Sequence, residues 1–251
     1  MERGILVNKD LLKTELFKSP FLELINKELV DGDEIIIILL AGSRASGLST
    51  PNSDIDLAVR TIKSWNLRST IKGEFQGNHL HWWISPIIAG EIAWTDPNYL
   101  GLILTGHYFM NYSSENIIYI NPKYESLIQY LREHQNIIKI TALYHLVLYL
   151  NNEIQLWTKE NTFKYSKLML PLADFYYEKN QLTKNTDLLI KLKKAIRDSS
   201  VKITNKEWEE FSKALFWTLD YTKKNIFPVV EYLEYYKGLT EELDKCNKNL
   251  K

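Results

Sequence analysis

Six aliphatic residues in a row, Ile35 to Leu40, follow the turn-forming Asp31, Gly32 and Asp33. The run IIIILL offers water no polar position, and its β-branched side chains suit a pleated backbone better than a helix. Bounded by turn residues, it predicts a strand buried on both faces. It falls far short of the ~20 apolar residues that cross a bilayer, and no other stretch comes closer to that length.

The residues after the run are small and polar: AGSRASGLSTPNSDIDLAV, 41–59. SDIDLAVR sets Asp54, Asp56 and Ala58 against Ile55, Leu57 and Val59, the alternation of a half-buried strand. NHLHWWIS alternates in the same way, with His79, His81 and Trp83 on one face and Leu80, Trp82 and Ile84 on the other. From residue 121 the period lengthens. Asn121 with Pro122 reads as a helix start, and Thr204 with Glu207 has capping-box spacing ahead of Trp208, Phe211, Leu215 and Leu219 on one helical face. Helical periodicity also fits 138–157, 163–178, 187–197 and 229–243. The expected fold is therefore α/β (α+β): a mixed sheet in a domain at 1–120, then a helical C-terminal domain at 121–251.

Lys plus Arg and Asp plus Glu both total 31, so the whole chain leaves no electrostatic footprint of a nucleic acid. The distribution is uneven: residues 1–122 are net −4, residues 123–206 net +6 and residues 207–251 net −2. The one cysteine, Cys246, excludes an internal disulfide and fits a reducing cytoplasmic setting; it reads as a bystander thiol on a charged C-terminal helix. Glu2, Arg3 and Lys9 interrupt the first apolar stretch, so no secretory signal or membrane association is expected.

Residues two apart on a strand point the same way, ~6.6 Å from each other. Asp54 and Asp56 therefore aim two like charges into one volume, an arrangement that a divalent cation between them relieves. Hard ions such as Mg²⁺ (or Mn²⁺) take carboxylate and phosphate oxygens, and two such ions can serve the attacking and leaving oxygens of a phosphoryl transfer. Gly42 and Ser43 end the buried strand, where backbone N–H groups, the Ser43 hydroxyl and Arg44 can meet a phosphate. Gly42 and Gly47 have P-loop spacing, but Leu48-Ser49 stands where Lys-Ser/Thr is required. Neither a G-x-S-x-G elbow nor a His-Glu-x-x-His helix is present.

Gly42-Ser43, ten residues, then Asp54-Ile55-Asp56 resembles the signature of the DNA polymerase β-type nucleotidyltransferase superfamily. GSRASGLSTPNSDIDLAV is similar, more narrowly, to predicted and often phage-encoded nucleotidyltransferases associated with RNA repair. DPNYLGL (Asp96 to Leu102) and KYSKLMLPLADFYY (from Lys164) are similar to further segments of those proteins. The resemblance implies transfer of a nucleoside monophosphate from a Mg²⁺-bound NTP to an acceptor hydroxyl or phosphate. It implies metal at Asp54 and Asp56, a catalytic part for Ser43, and nucleotide contacts from Gly42, Ser43, Arg44, Ser53, Lys164 and Lys167. Gly101 and Leu170 stand where the family has glutamate and arginine. A third carboxylate in the superfamily lies on a later strand; here that strand offers His79 or His81.

Alternatives stand beside several of these residues. His79 and His81 are either site residues or exposed strand histidines, and His107, His134 and His145 read as structural. Trp82 and Trp83 either stack a base or pack the core. Lys164 and Lys167 either grip a triphosphate or face water. RNA or a tRNA end is the leading acceptor, on the basic segment. A small antibiotic-type molecule, a protein hydroxyl, or a non-catalytic nucleotide- or partner-binding relative are the other readings.

Overall fold

The computed structural model describes residues 12, 20–45, 47–50, 52–66, 71–88, 114–137, 139–140, 143–144, 170, 172–195, 198, 200–226 and 229–248. It is a mixed α+β protein whose chain divides into two compact units. The first comprises Met1–Ala93, Met110–Asn136 and Pro228–Lys251; the second comprises Trp94–Phe109 and Ile137–Phe227. This division differs from a single break at residue 120, because helices near 125–133 and 229–248 belong with the sheet.

In the first unit, helix α1 (Pro20–Asn26) precedes strand β1 (Ile35–Ala41), and one helical turn, α2 (Gly42–Ala45), follows it. Strands β2 (Ile55–Thr61), β3 (Gly73–Phe75), β4 (Asn78–Pro86) and β5 (Ile117–Ile120) complete a five-stranded sheet in the order β3-β4-β2-β1-β5. β1 pairs antiparallel with β2 and β5, and β2 pairs parallel with β4. All seven β1 residues are buried, as the unbroken apolar run requires. Ile38, Leu40, Ile55, Leu57, Val59, Leu80, Trp82 and Ile84 form an apolar cluster on one face, with Leu12 and Ile25 packed into it.

β2 departs from the half-buried expectation. Ala58 and Arg60, on its supposedly solvated face, are also buried, so both faces are covered and only Asp56 is half-exposed. Alternation alone cannot tell a polar face open to water from one packed under another layer. Asp54 is not on the strand; it stands one residue ahead of β2.

Polar anchors fix the strand ends. The Asp33 carboxylate accepts main-chain N–H bonds from Glu34 (2.9 Å), Ile62 (3.1 Å) and Ser64 (2.6 Å), tying the entry of β1 to the exit of β2. Burial would raise this carboxyl, but the bonds from Ser64, Glu34 and Ile62 outweigh it and hold the group below its ordinary range. Glu34 accepts from the Tyr124 hydroxyl (2.6 Å) and pairs with Lys123, joining β1 to the 3₁₀ turn Pro122–Tyr124. Asn121 caps that turn through its side chain, and α3 (Glu125–Glu133) follows directly.

The last helix, α6 (Val229–Lys248), returns to pack on α3. Tyr130 donates to the Tyr235 carbonyl at 3.0 Å, and its ring crowds Gly238, where an added Cβ would lie 2.1 Å from the Tyr130 hydroxyl. Cys246 is buried in this contact, 3.4 Å from the Ser126 hydroxyl.

The second unit holds helical residues 172–179, α4 (Thr186–Ala195) and α5 (Asn205–Asn225). The Thr204–Glu207 capping box forms as the spacing predicts, and Lys191 then bonds Glu207 at 2.6 Å. Among the described residues no helix is long and apolar enough to cross a membrane.

Asp33→Asn removes one of two accepting oxygens facing four N–H groups, those of Glu34, Ile62, Lys63 and Ser64, so it is expected to lower stability by about 1–3 kcal/mol at neutral pH. A carboxyl depressed in the native state stabilises above its unfolded pKa, and that contribution is lost as pH falls through the native value. The gap between wild type and variant should therefore narrow in acid. Urea unfolding at about pH 7 and about pH 3 checks both statements.

Candidate functional site

β1 ends at Ala41, whose register partner on β2 is Asp56. The next residue, Gly42, takes φ +62°, which turns the chain sharply off the strand. A Cβ built there would lie 2.1 Å from Asp56 Oδ2 and 3.0 Å from Asp56 Cγ. The carboxylate thus rests directly against the Gly42 main chain, and both φ and space restrict position 42 to glycine. On its other side Asp56 is in register with His81 of β4. Asp56, Ala41 and His81 consequently share one face of the sheet at neighbouring positions, with Trp83 and Ala58 the next pair along.

The loop from α2 to β2 folds around two side chains. Ser53 N–H donates to the Thr50 carbonyl at 2.9 Å, and its hydroxyl accepts from Thr50 N–H at 2.8 Å, closing a turn over 50–53. Arg44 reaches across to the same segment: Nε donates to the Asp54 carbonyl at 3.1 Å, and Nη2 donates to the Ser53 carbonyl and to Asn78 Oδ1 (2.9 Å). Burial lowers the Arg44 pKa from the usual guanidinium value, while the charges of Asp54 and Asp56 pull it the other way. Arg44, expected as a phosphate contact, is observed holding the backbone beside Asp54.

Gly42, Ser43, Arg44, Ser53, Asp54 and Asp56 therefore come together at one end of β1 and β2, with Ser43 and Ser53 buried. His81 joins them by register. His79 is exposed, is in register with Glu74 of β3, and lies just before the β2–β4 register, which begins at Ile55 and Leu80. Lys164 and Lys167 lie outside the described residues. Among the described residues, no three His, Cys, Asp or Glu side chains form a group arranged to hold a metal ion. Trp82 packs in the core and donates its indole N–H to Glu28 at 3.1 Å, whereas the buried Trp83 lies on the Asp56 face.

Two further residues lie on or beside this face. Arg60, 2% exposed and two pairs along β2 from Asp56, donates to the Ser85 hydroxyl of β4. The alternation of β2 contained that signal, since Asp56, Ala58 and Arg60 share parity. Asn78 is the other, and its partner is 34 residues away in sequence.

No protein-family model and no curated protein matches this chain. The site therefore stands on its geometry and its residues.

Gly42→Ala combines a left-handed backbone with a clash, and the strain is expected to lower stability by about 1–3 kcal/mol. In the double variant Gly42→Ala/Asp56→Ala the clash with the carboxylate disappears while the φ strain remains. A double-mutant cycle by chemical denaturation should then give a coupling energy of about 0.5 kcal/mol or more, favourable to the double variant. Strict additivity would mean that Asp56 does not rest on Gly42.

Proposed function

We propose that this protein is a metal-dependent nucleotidyltransferase, which moves a nucleoside monophosphate from an NTP to a hydroxyl or phosphate acceptor. The observation that carries the reading is the seat of the Asp56 carboxylate on the Gly42 main chain. It brings the Gly-Ser end of β1 and the Asp-x-Asp segment that leads into β2 to one place, where a triphosphate could meet two carboxylates.

The donor set fits the ion. Asp54 and Asp56 supply hard oxygens, and Mg²⁺ or Mn²⁺ characteristically completes such a shell with substrate phosphates and water. Bound by these two aspartates, the ion would offset phosphate charge and polarise the α-phosphorus for attack. The chain's own parts are positional. Gly42 permits close approach of the backbone, the buried Ser43 follows it at the strand end, and Arg44 with Ser53 fixes the Asp54 segment. The acceptor oxygen forms a bond to the α-phosphorus, the bond to the β-phosphate oxygen breaks, and pyrophosphate leaves. The acceptor proton passes to His81 or to solvent.

One observation favours a second reading, a non-catalytic nucleotide- or partner-binding protein. His81, rather than a carboxylate, is the register neighbour of Asp56 on β4. Transfer of label separates the two.

RNA is the favoured acceptor, on the net +6 of residues 123–206. The pairs Lys139–Glu178 and Lys184–Asp174 are already counted within that net, whereas Lys191 is paired with Glu207 from outside the segment. The bond to Lys191, helped by Thr204, holds the Glu207 carboxyl down at about 2. Lys194, Lys202 and Lys206 remain exposed, while Lys164, Lys167 and Arg197 are outside the described residues.

With labelled NTPs, Mg²⁺ and total RNA, wild type is expected to label an acceptor. Asp54→Asn and Asp56→Asn should each reduce labelling by about 100-fold or more, equivalent to several kcal/mol of lost charge stabilisation. Both variants should fold at least as stably as wild type, because a repulsive pair is relieved. Undiminished labelling in both would refute the assignment; Mg²⁺-dependent NTP binding without labelling would favour the non-catalytic reading. If RNA is the acceptor, its binding should weaken steeply between about 50 and 200 mM salt. Label on a small molecule or protein, with no salt-sensitive RNA binding, would replace RNA as acceptor.

A further inference from the structure

Asn78 links the candidate site to the turn between β3 and β4. Gln76 and Gly77, at φ 50° and 74°, form the two-residue loop between β3 and β4. Positive φ at both central residues matches the right-handed twist of the strands on either side. Phe75 and Asn78 pair directly across this loop, so Asn78 has a fixed place at the first position of β4. Both ends of its amide are used. Nδ2 donates to the Gln76 carbonyl at 3.1 Å, and Oδ1 accepts from Arg44 Nη2 at 2.9 Å. Those partners fix the amide's orientation, because a carbonyl only accepts and a guanidinium only donates.

Arg44 continues the chain of bonds. Its Nε meets the Asp54 carbonyl and its Nη2 the Ser53 carbonyl, which makes it a brace between the β3–β4 loop and the segment entering β2. The planar, forked guanidinium can serve all three acceptors at once, which a lysine ammonium on a flexible stem cannot do with fixed directions. Asp54, half-buried and outside the β ladder, is held in place by this brace.

We infer that Asn78 is a positioning residue: through Arg44 it fixes the backbone at Asp54, and so sets the placement of Asp54 relative to Asp56 for a divalent cation. The inference rests on the reading of the two aspartates as the metal-holding pair. Groups that orient metal ligands without touching the metal alter affinity by about 10–100-fold when removed.

The test is a Mn²⁺ titration of the full-length protein, followed by electron paramagnetic resonance and by calorimetry, beside a thermal melt of each variant. Asn78→Leu, similar in size but without an acceptor, is expected to weaken Mn²⁺ binding about 10-fold with little change in melting temperature. Asn78→Asp retains the acceptor for Arg44 and should bind Mn²⁺ at least as tightly as wild type. Arg44→Lys should resemble Asn78→Leu, and it keeps the test decisive if Asn78→Leu does not fold. Wild-type Mn²⁺ affinity in Asn78→Leu and Arg44→Lys, with binding lost in Asp56→Asn, would overturn the positioning role and leave the metal pair standing. Equal losses in Asn78→Leu and Asn78→Asp would also overturn it, since any change at position 78 would then suffice. Unaltered binding in Asp56→Asn, or none in wild type, would overturn the metal pair and this inference with it.

Discussion

β1 presents no polar side chain along its length, and everything around the candidate site depends on that. Such a strand is stable only with hydrogen-bonded neighbours at both edges and apolar layers on both faces, which the inner position between β2 and β5 provides. Its far end then becomes a fixed point. Ala41 opposes Asp56, and Gly42 turns away beneath the carboxylate. A slip of one residue in the β1–β2 register would send Asp56 into the cluster of Leu57, Val59 and Ile38. An unpaired carboxylate there would be costly, so the apolar run also fixes the position of the acid.

Strong, regular patterns were the legible part. β1, β2 and β4 could be read because a continuous run or a period of two extends over six or more residues, and the capping box of α5 because Thr204 and Glu207 are local to each other. β3 and β5, of three and four residues, and the seven-residue α1 are too short to express a period. Gly42, Asp54 and Asp56 were legible as candidates from residue type and spacing. That Asp54 stands off the strand was not, because its position is set by Arg44 and the Ser53 turn. Asn78 was invisible for the same reason, its partner lying 34 residues away, whereas Arg60 shares the parity of Asp56 on β2 and only its partner, 25 residues away, was hidden. The joining of α6 to α3 is longer in range still, with Ser126 meeting Cys246 across 120 residues.

The site face also shows how charge is handled close to a sheet interior. Two carboxylates, Asp54 and Asp56, share their surroundings with two guanidinium groups, Arg44 beside them and Arg60 further along β2. Burial of ions is tolerated where polar partners are already oriented toward them. Ser53, Asn78 and Ser85 supply such partners. Around the two carboxylates the protein thus presents oriented dipoles and a guanidinium rather than an open patch of one sign.

The sheet-bearing unit is assembled from three stretches of chain, and the last, Pro228–Lys251, comes after the whole of 137–227. During vectorial synthesis the nascent chain produces the sheet and α3 early, with Leu127, Ile128 and Leu131 on the apolar side of α3. The helix that packs on α3 leaves the ribosome only after the intervening helices have been made. Contacts of such long sequence separation close late and slowly. Gly238 under the Tyr130 ring and Cys246 against Ser126 are therefore seams of final closure, and truncation or delay at the C-terminus would leave an otherwise complete sheet with its last layer open.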